Sequence, residues 1–218
     1  MTTQTMTFYS TSIGKKTVMS VTGFILFAFV VVHMIGNLQV YAGPEKLNAY
    51  AAFLKKTPAL LWTTRLILFF AVVLHAITAL QLKVQNWRAR PIGYRSWKPI
   101  ESGYASRNML FVGSALALFV IYHVLHFTTG TLHSSFNPED VFTNVVSGFS
   151  SWPVTAVYVG AMLLLSLHLY HGVWSMFQSV GLSHPKYDPW RRLFATGITL
   201  VLVIGNISMP LSVLISNR

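Results

Sequence analysis

Apolar residues fall into five long runs, at about 18–40, 61–83, 108–132, 153–180 and 191–215, separated by short polar connections. Each run is close to the roughly 20 residues that cross a hydrocarbon core as a helix. Runs this long predict helices, because an open chain in lipid satisfies its backbone polar groups only that way. Pro58, Pro153 and Pro189 stand just before or at the start of a run, where proline is tolerated. Pro210 lies inside the fifth run and is expected to kink that helix or end it. The pattern predicts an all-α integral membrane bundle of five transmembrane helices, a single domain over residues 1–218. There is no internal repeat, no low-complexity tract and no room for a second globular domain.

The polar connections predict sidedness. Lys15, Lys16, Lys83, Arg88, Arg90, Arg95, Lys98, Arg107, Lys186, Arg191 and Arg192 fall on one side of such a bundle. Lys46, Lys55, Lys56, Arg65 and Arg218 fall on the other. Eleven against five places the N-terminus in the cytoplasm and the C-terminus outside. The third-to-fourth connection, with Glu139 and Asp140 and no basic residue, agrees. Trp62, Trp87, Trp152, Trp174 and Trp190 lie near run ends, as an interfacial belt requires. Lys15 and Lys16 before an apolar run, with Val40-Tyr41-Ala42 after it, superficially suggest a cleaved leader. The run exceeds the usual 7–15-residue core of a signal peptide and contains His33 and Asn37, so it is expected to be retained as the first helix.

Composition narrows the chemistry. The chain is 53% hydrophobic and only 10% charged, where a soluble domain carries about 25% charged residues. The net charge of +11 sits in the connections, so it reflects membrane topology rather than a nucleic-acid partner. With no cysteine, disulfides, thiolate haem ligation, covalent haem attachment and cysteine-bound clusters are excluded.

Histidines remain as the candidate chemistry. His33, His75, at least one of His123 and His126, and at least one of His168 and His171 lie near the middles of four of the runs. An imidazole in hydrocarbon is costly unless it faces a partner inside the bundle. With alternating helix directions, His33 and His123 fall in the outer half and His75 and His168 slightly toward the cytoplasm. That gives two stacked imidazole pairs at different depths, the usual means of holding a haem iron from both faces. His126 and His171 share a helix face with their neighbours and stay open as alternatives. His133 and His184 lie at run ends or in loops and carry no assigned role. The only acids are Glu45, Glu101, Glu139, Asp140 and Asp188, none within a run, which weakens a proton-coupled transporter. A catalytic zinc site would need three ligands at one depth. Gly23, Gly36, Gly113, Gly160 and Gly172 would admit a macrocycle, or serve close helix packing.

These residues meet a family. His33 in VVHMIGN, His75 in VLHAITA, His123 in IYHVLHF and the run LHLYHGVWSMF are similar, in order and one-per-helix placement, to the five-helix dihaem cytochrome b subunit of succinate:quinone oxidoreductases, the succinate dehydrogenase and fumarate reductase family. The resemblance covers nearly the whole chain. In the last motif the family's ligand precedes Gly by four residues and Trp by six; Gly172 and Trp174 meet this from His168 rather than His171. It likewise selects His123 over His126. The resemblance implies two haem b groups, the proximal held by His75 and His168 and the distal by His33 and His123. It also implies a flavoprotein subunit and an iron–sulfur subunit docked on the cytoplasmic face, with FAD and the iron–sulfur clusters confined to those partners. Membrane quinone, menaquinone by preference, would be the substrate, in succinate oxidation or fumarate reduction at a bacterial cytoplasmic membrane.

Some family members carry a glutamate inside the bundle linked to proton movement. This chain has none, which leaves such a role without its residue. The basic second-to-third connection, with Trp97 and Tyr104, offers a docking surface or simply follows the positive-inside pattern. Ser20, Arg65, His126 and His171 are the polar candidates for binding quinone. The rival readings are the cytochrome b anchor of another quinone-linked enzyme, such as a hydrogenase or formate dehydrogenase, and a histidine-lined non-haem transporter.

Overall fold

A computed structural model of the chain describes residues 7–89 and 104–216. Among them there are helices and turns but no strand. The helices are α1 (Ser12–Asn37), α2 (Pro44–Lys56), α3 (Pro58–Arg88), α4 (Tyr104–Phe127), α5 (Val141–Phe149), α6 (Trp152–Ser179) and α7 (Asp188–Ser216). Five of them, α1, α3, α4, α6 and α7, are long and apolar enough to cross a membrane, which makes this a multi-pass membrane protein. Most of the basic second-to-third connection, including Arg90, Arg95, Trp97 and Lys98, lies outside the described residues, as do Glu101, the Tyr104 side chain and Arg218.

Local chemistry explains the helix boundaries. The Thr11 hydroxyl accepts from the Gly14 amide at 2.9 Å and caps α1. Pro44 and Pro58 occupy the first turns of α2 and α3, where the missing N–H costs nothing. Gly43, at φ +92°, makes the turn into α2 in a conformation that suits glycine alone. The fourth helix stops at Phe127, short of the residue 132 expected from hydropathy, because Gly130 at φ +73° turns the chain back. Pro210 neither ends nor interrupts α7, which runs through it to Ser216.

Two helices did not stand out in the apolar pattern. The segments α2 and α5 lie at the same end of the bundle, where α1 and α4 finish and α3 and α6 begin. They are joined side by side: the Asn48 amide donates to Asp140 Oδ1 at 2.9 Å, and Asn48 Oδ1 accepts the Phe142 N–H at 2.9 Å. Lys55 pairs with Glu139 at 3.0 Å and also donates to the Pro138 carbonyl. Asp140 caps α5 through the Thr143 N–H at 3.0 Å.

The long helices form a ring in which α1 packs on α3 and α6, and α4 packs on α6 and, more lightly, on α3. Outside the ring, α7 lies against α6 and α1. Met34, Leu169 and Leu202 interlock where α1, α6 and α7 meet, and Gly205 lets Met34 press against the α7 backbone. Phe149, Tyr158 and Val213 form a second core near α2 and α5. Phe69, Phe70, Phe111, Leu118, Leu163 and Ile204 stay exposed, as lipid-facing helix surfaces require. Trp62, Trp87, Trp152 and Trp190 are exposed near helix ends, whereas Trp174 lies beneath the Arg192 guanidinium, 4.5 Å from its ring centre.

Candidate functional site

Four helices of the ring present one histidine each to its interior, and the rings meet across both diagonals. His33 of α1 and His123 of α4 face one another with centroids 5.7 Å apart and planes at 87°. His75 of α3 and His168 of α6 do so at 6.0 Å and 60°. Neither α1 with α4 nor α3 with α6 packs together along its length among the described residues; the imidazoles bridge the gap. His75 lies beside Met19 and Thr22, whereas His33 itself stands far along the same helix. At 1.5 Å per residue the two sites are separated by about 16 Å along α1. The pairs therefore sit at different depths, as alternating helix directions require.

Both open choices between neighbouring histidines have a geometric answer. His123 opposes His33, while His126 turns away and stacks between Tyr122 at 5.4 Å and His133 at 5.0 Å. His168 rather than His171 faces His75. His133 is a buried structural group: its Nε2–H donates to the Asn144 carbonyl at 2.9 Å and its Nδ1 accepts from the Ser135 amide at 3.3 Å. His184 caps the short turn at Pro185–Tyr187 by accepting from the Lys186 amide.

Hydrogen bonding decides what the His75 ring offers. Its Nδ1 lies 3.1 Å from the Met19 carbonyl and 3.2 Å from the Thr22 hydroxyl. The Thr22 proton is directed to the Val18 carbonyl at 2.8 Å. A carbonyl only accepts, so Nδ1 of His75 must carry the proton, and Nε2 keeps a free lone pair. This is the arrangement found in metal-binding histidines, whose second nitrogen donates to a carbonyl or carboxylate. On the opposing ring, Nδ1 of His168 is buried with no hydrogen-bond partner.

The residues present fit a bis-imidazole iron centre. Two imidazoles bound end-on at about 2 Å from a metal place their ring centres roughly 6 Å apart, and both pairs have that spacing. Gly23 and Gly113 lie against the His75–His168 pair: a Cβ at Gly23 would come within 3.2 Å of His75 Cε1, and one at Gly113 within 3.9 Å of His168 Cε1. The other glycines have different settings. Gly36 lies against the Tyr50 ring, and a Cβ at Gly160 or Gly172 would meet open space. No third His, Cys, Asp or Glu joins either pair among the described residues. The quinone candidates are not gathered into one place: Ser20 is buried on α1, Arg65 is exposed over Trp62, and His126 and His171 lie on different helices.

Sequence patterns left out the groups that hold these rings. Thr22 and the Met19 carbonyl support His75, and the Tyr158 hydroxyl lies 3.2 Å from His123 Nδ1. A tyrosine inside an apolar run, at the depth of a histidine on an antiparallel neighbour, was the available signal for the last. No family model, curated protein or solved structure matches this chain.

Proposed function

We propose that this chain is the dihaem cytochrome b anchor of a succinate:quinone oxidoreductase, relaying electrons between an iron–sulfur subunit and membrane quinone. The observation that carries the reading is the meeting of four histidines from four helices as two opposed pairs, one on each diagonal of the ring. His75 and His168 would hold the proximal haem b, and His33 and His123 the distal one. Bis-imidazole haem supplies reversible one-electron chemistry without an open iron position.

The chain's own residues supply the rest. The Met19 carbonyl keeps Nε2 of His75 available as a ligand. Gly23 and Gly113 leave the space beside the rings free of side chains. The lipid-facing Phe and Leu residues keep the bundle in the bilayer, and the basic connections orient its N-terminus toward the cytoplasm. That end would dock the flavoprotein and iron–sulfur subunits of a bacterial cytoplasmic-membrane complex, in which FAD and clusters belong to the partners and menaquinone is the preferred substrate.

The test is purification from cells with ample haem, followed by a dithionite-reduced spectrum, a haem-to-protein ratio and identification of copurifying subunits. A b-type spectrum, two haems per chain and an associated flavoprotein support the proposal. A colourless, iron-free chain rejects it, and a haem protein that copurifies with a hydrogenase or formate dehydrogenase rejects the succinate assignment.

A further inference from the structure

The Tyr158 hydroxyl is shared between two imidazoles, 3.2 Å from His123 Nδ1 and 3.1 Å from His126 Nδ1. Tyr158 is only 7% exposed. Phe119 at 5.0 Å and Phe149 at 4.9 Å meet its ring edge-on, with Phe127 at 5.7 Å, so the hydroxyl is fixed in place. His126 is fixed too, stacked on His133, which is itself tied to Asn144 and Ser135.

A phenol has one proton to give. When the phenol proton is used in one of the two bonds, one imidazole donates to Tyr158 while the other accepts from it. Two proton arrangements satisfy this. In the first, His123 Nδ1–H donates to the Tyr158 oxygen and Tyr158 O–H donates to His126 Nδ1. In the second the directions reverse and His123 carries its proton on Nε2, the nitrogen available to face His33. Only the first leaves His123 able to ligate through Nε2.

We propose that Tyr158 is the positioning residue of the His33–His123 site, accepting the Nδ1–H of His123 and donating to His126, so that His123 would be held in the tautomer that leaves Nε2 free to ligate iron. The inference rests on the reading of this pair as haem ligands. Tyr158 does for His123 what the Met19 carbonyl does for His75, with one difference: its acceptor strength depends on its own donation to His126, since hydrogen bonds in a chain polarise one another. Such a bond would make the imidazole a better electron donor and, with haem bound, would favour the ferric state.

The experiment is a redox titration of the purified holoprotein, with the electron paramagnetic resonance of each low-spin ferric centre. In Tyr158→Phe, which keeps the ring and removes the oxygen, one midpoint potential should rise and one ferric signal should shift, the other centre staying as in the wild type. His126→Gln, whose side-chain oxygen can still accept the phenol proton, should stay near the wild type; His126→Ala should shift the same centre in the same direction by less. Selective loss of that one haem from Tyr158→Phe, with the other retained, would also support the role. If Tyr158→Phe binds both haems with unchanged potentials and signals, the inference is wrong and the dihaem reading stands. Should Tyr158→Phe fail to fold, an unchanged potential in His126→Ala overturns the inference. A wild-type chain without haem removes both.

Discussion

His75 and His168 face each other at a ring separation of 6.0 Å, although α3 and α6 do not pack together along their lengths among the described residues. Each of the intervening helices, α1 and α4, packs on α6. The pair therefore spans a gap that helix packing leaves open, and the same holds for His33 and His123 on the other diagonal. In lipid, helices associate through close packing and polar contacts, with little hydrophobic driving force between them. A diagonal left without direct packing is a place where a bound group can join helices that otherwise lack a mutual interface.

Each site should fail on its own. His75→Ala or His168→Ala is expected to reduce bound haem from two per chain to one, and His33→Ala or His123→Ala to do the same for the other centre. Combining one substitution from each pair should abolish haem binding. The pyridine haemochrome assay on purified protein measures this, and a full complement in any single variant would refute that residue's assignment.

The neighbouring histidines should be dispensable for cofactor content. His171→Ala and His126→Ala are expected to retain two haems, because neither ring opposes a partner across a diagonal. A ratio of one haem in either variant would mean that the helix presents its other histidine to the site.

Packing beside α5 is tight enough to test by overfilling. A Cβ at Gly148 would lie 2.9 Å from Phe127 Cζ and 3.1 Å from His126 Cε1, both held in the aromatic cluster around Tyr158. Gly148→Ala should destabilise the protein by about 1–3 kcal/mol, the usual range for added methyl groups in a filled core. Thermal unfolding in detergent would register this as a lowered midpoint, and an unchanged midpoint would show that the cluster yields easily.

Acid should loosen the junction between α2 and α5. The Thr143 hydroxyl, its N–H and the Asn48 amide hold the Asp140 carboxyl below its ordinary value of 3.8. A depressed carboxylate contributes stability that is complete above the unfolded pKa and is lost as pH falls through the lower folded one. Thermal midpoints should therefore contain an acid limb below about pH 4 that is reduced in Asp140→Asn. Identical acid limbs in the two proteins would exclude Asp140 as a contributor.

The five crossings were legible because long apolar runs have few other solutions, and Pro58 and Pro153 marked where helices start. The depths of the histidines followed from counting residues along alternating helices, and His33, His75, His123 and His168 do meet in the anticipated pairs. Helix rotation was not legible. Whether His123 or His126 points inward depends on how α4 turns about its axis, which Tyr158, Phe127 and Phe149 fix from two other helices and from α4 itself. The helices α2 and α5 escaped for a different reason. Both are short, and the polar contacts that join them, through Asn48 and Asp140, link residues far apart in the chain. Pro210 was misleading in part: a proline can sit inside an apolar helix whose freed carbonyl is tolerated, and α7 continues past it.

The diagonal layout also orders biogenesis. Chain synthesis delivers α1 and α3 first, yet neither carries both halves of a clamp. The His33–His123 pair can close only after α4 emerges, and its Tyr158 support arrives later still, with α6. The His75–His168 pair likewise waits for α6. Translation must thus proceed through the fourth crossing before both histidine pairs exist, so on the dihaem reading proposed above a chain stalled earlier would lack at least one complete site.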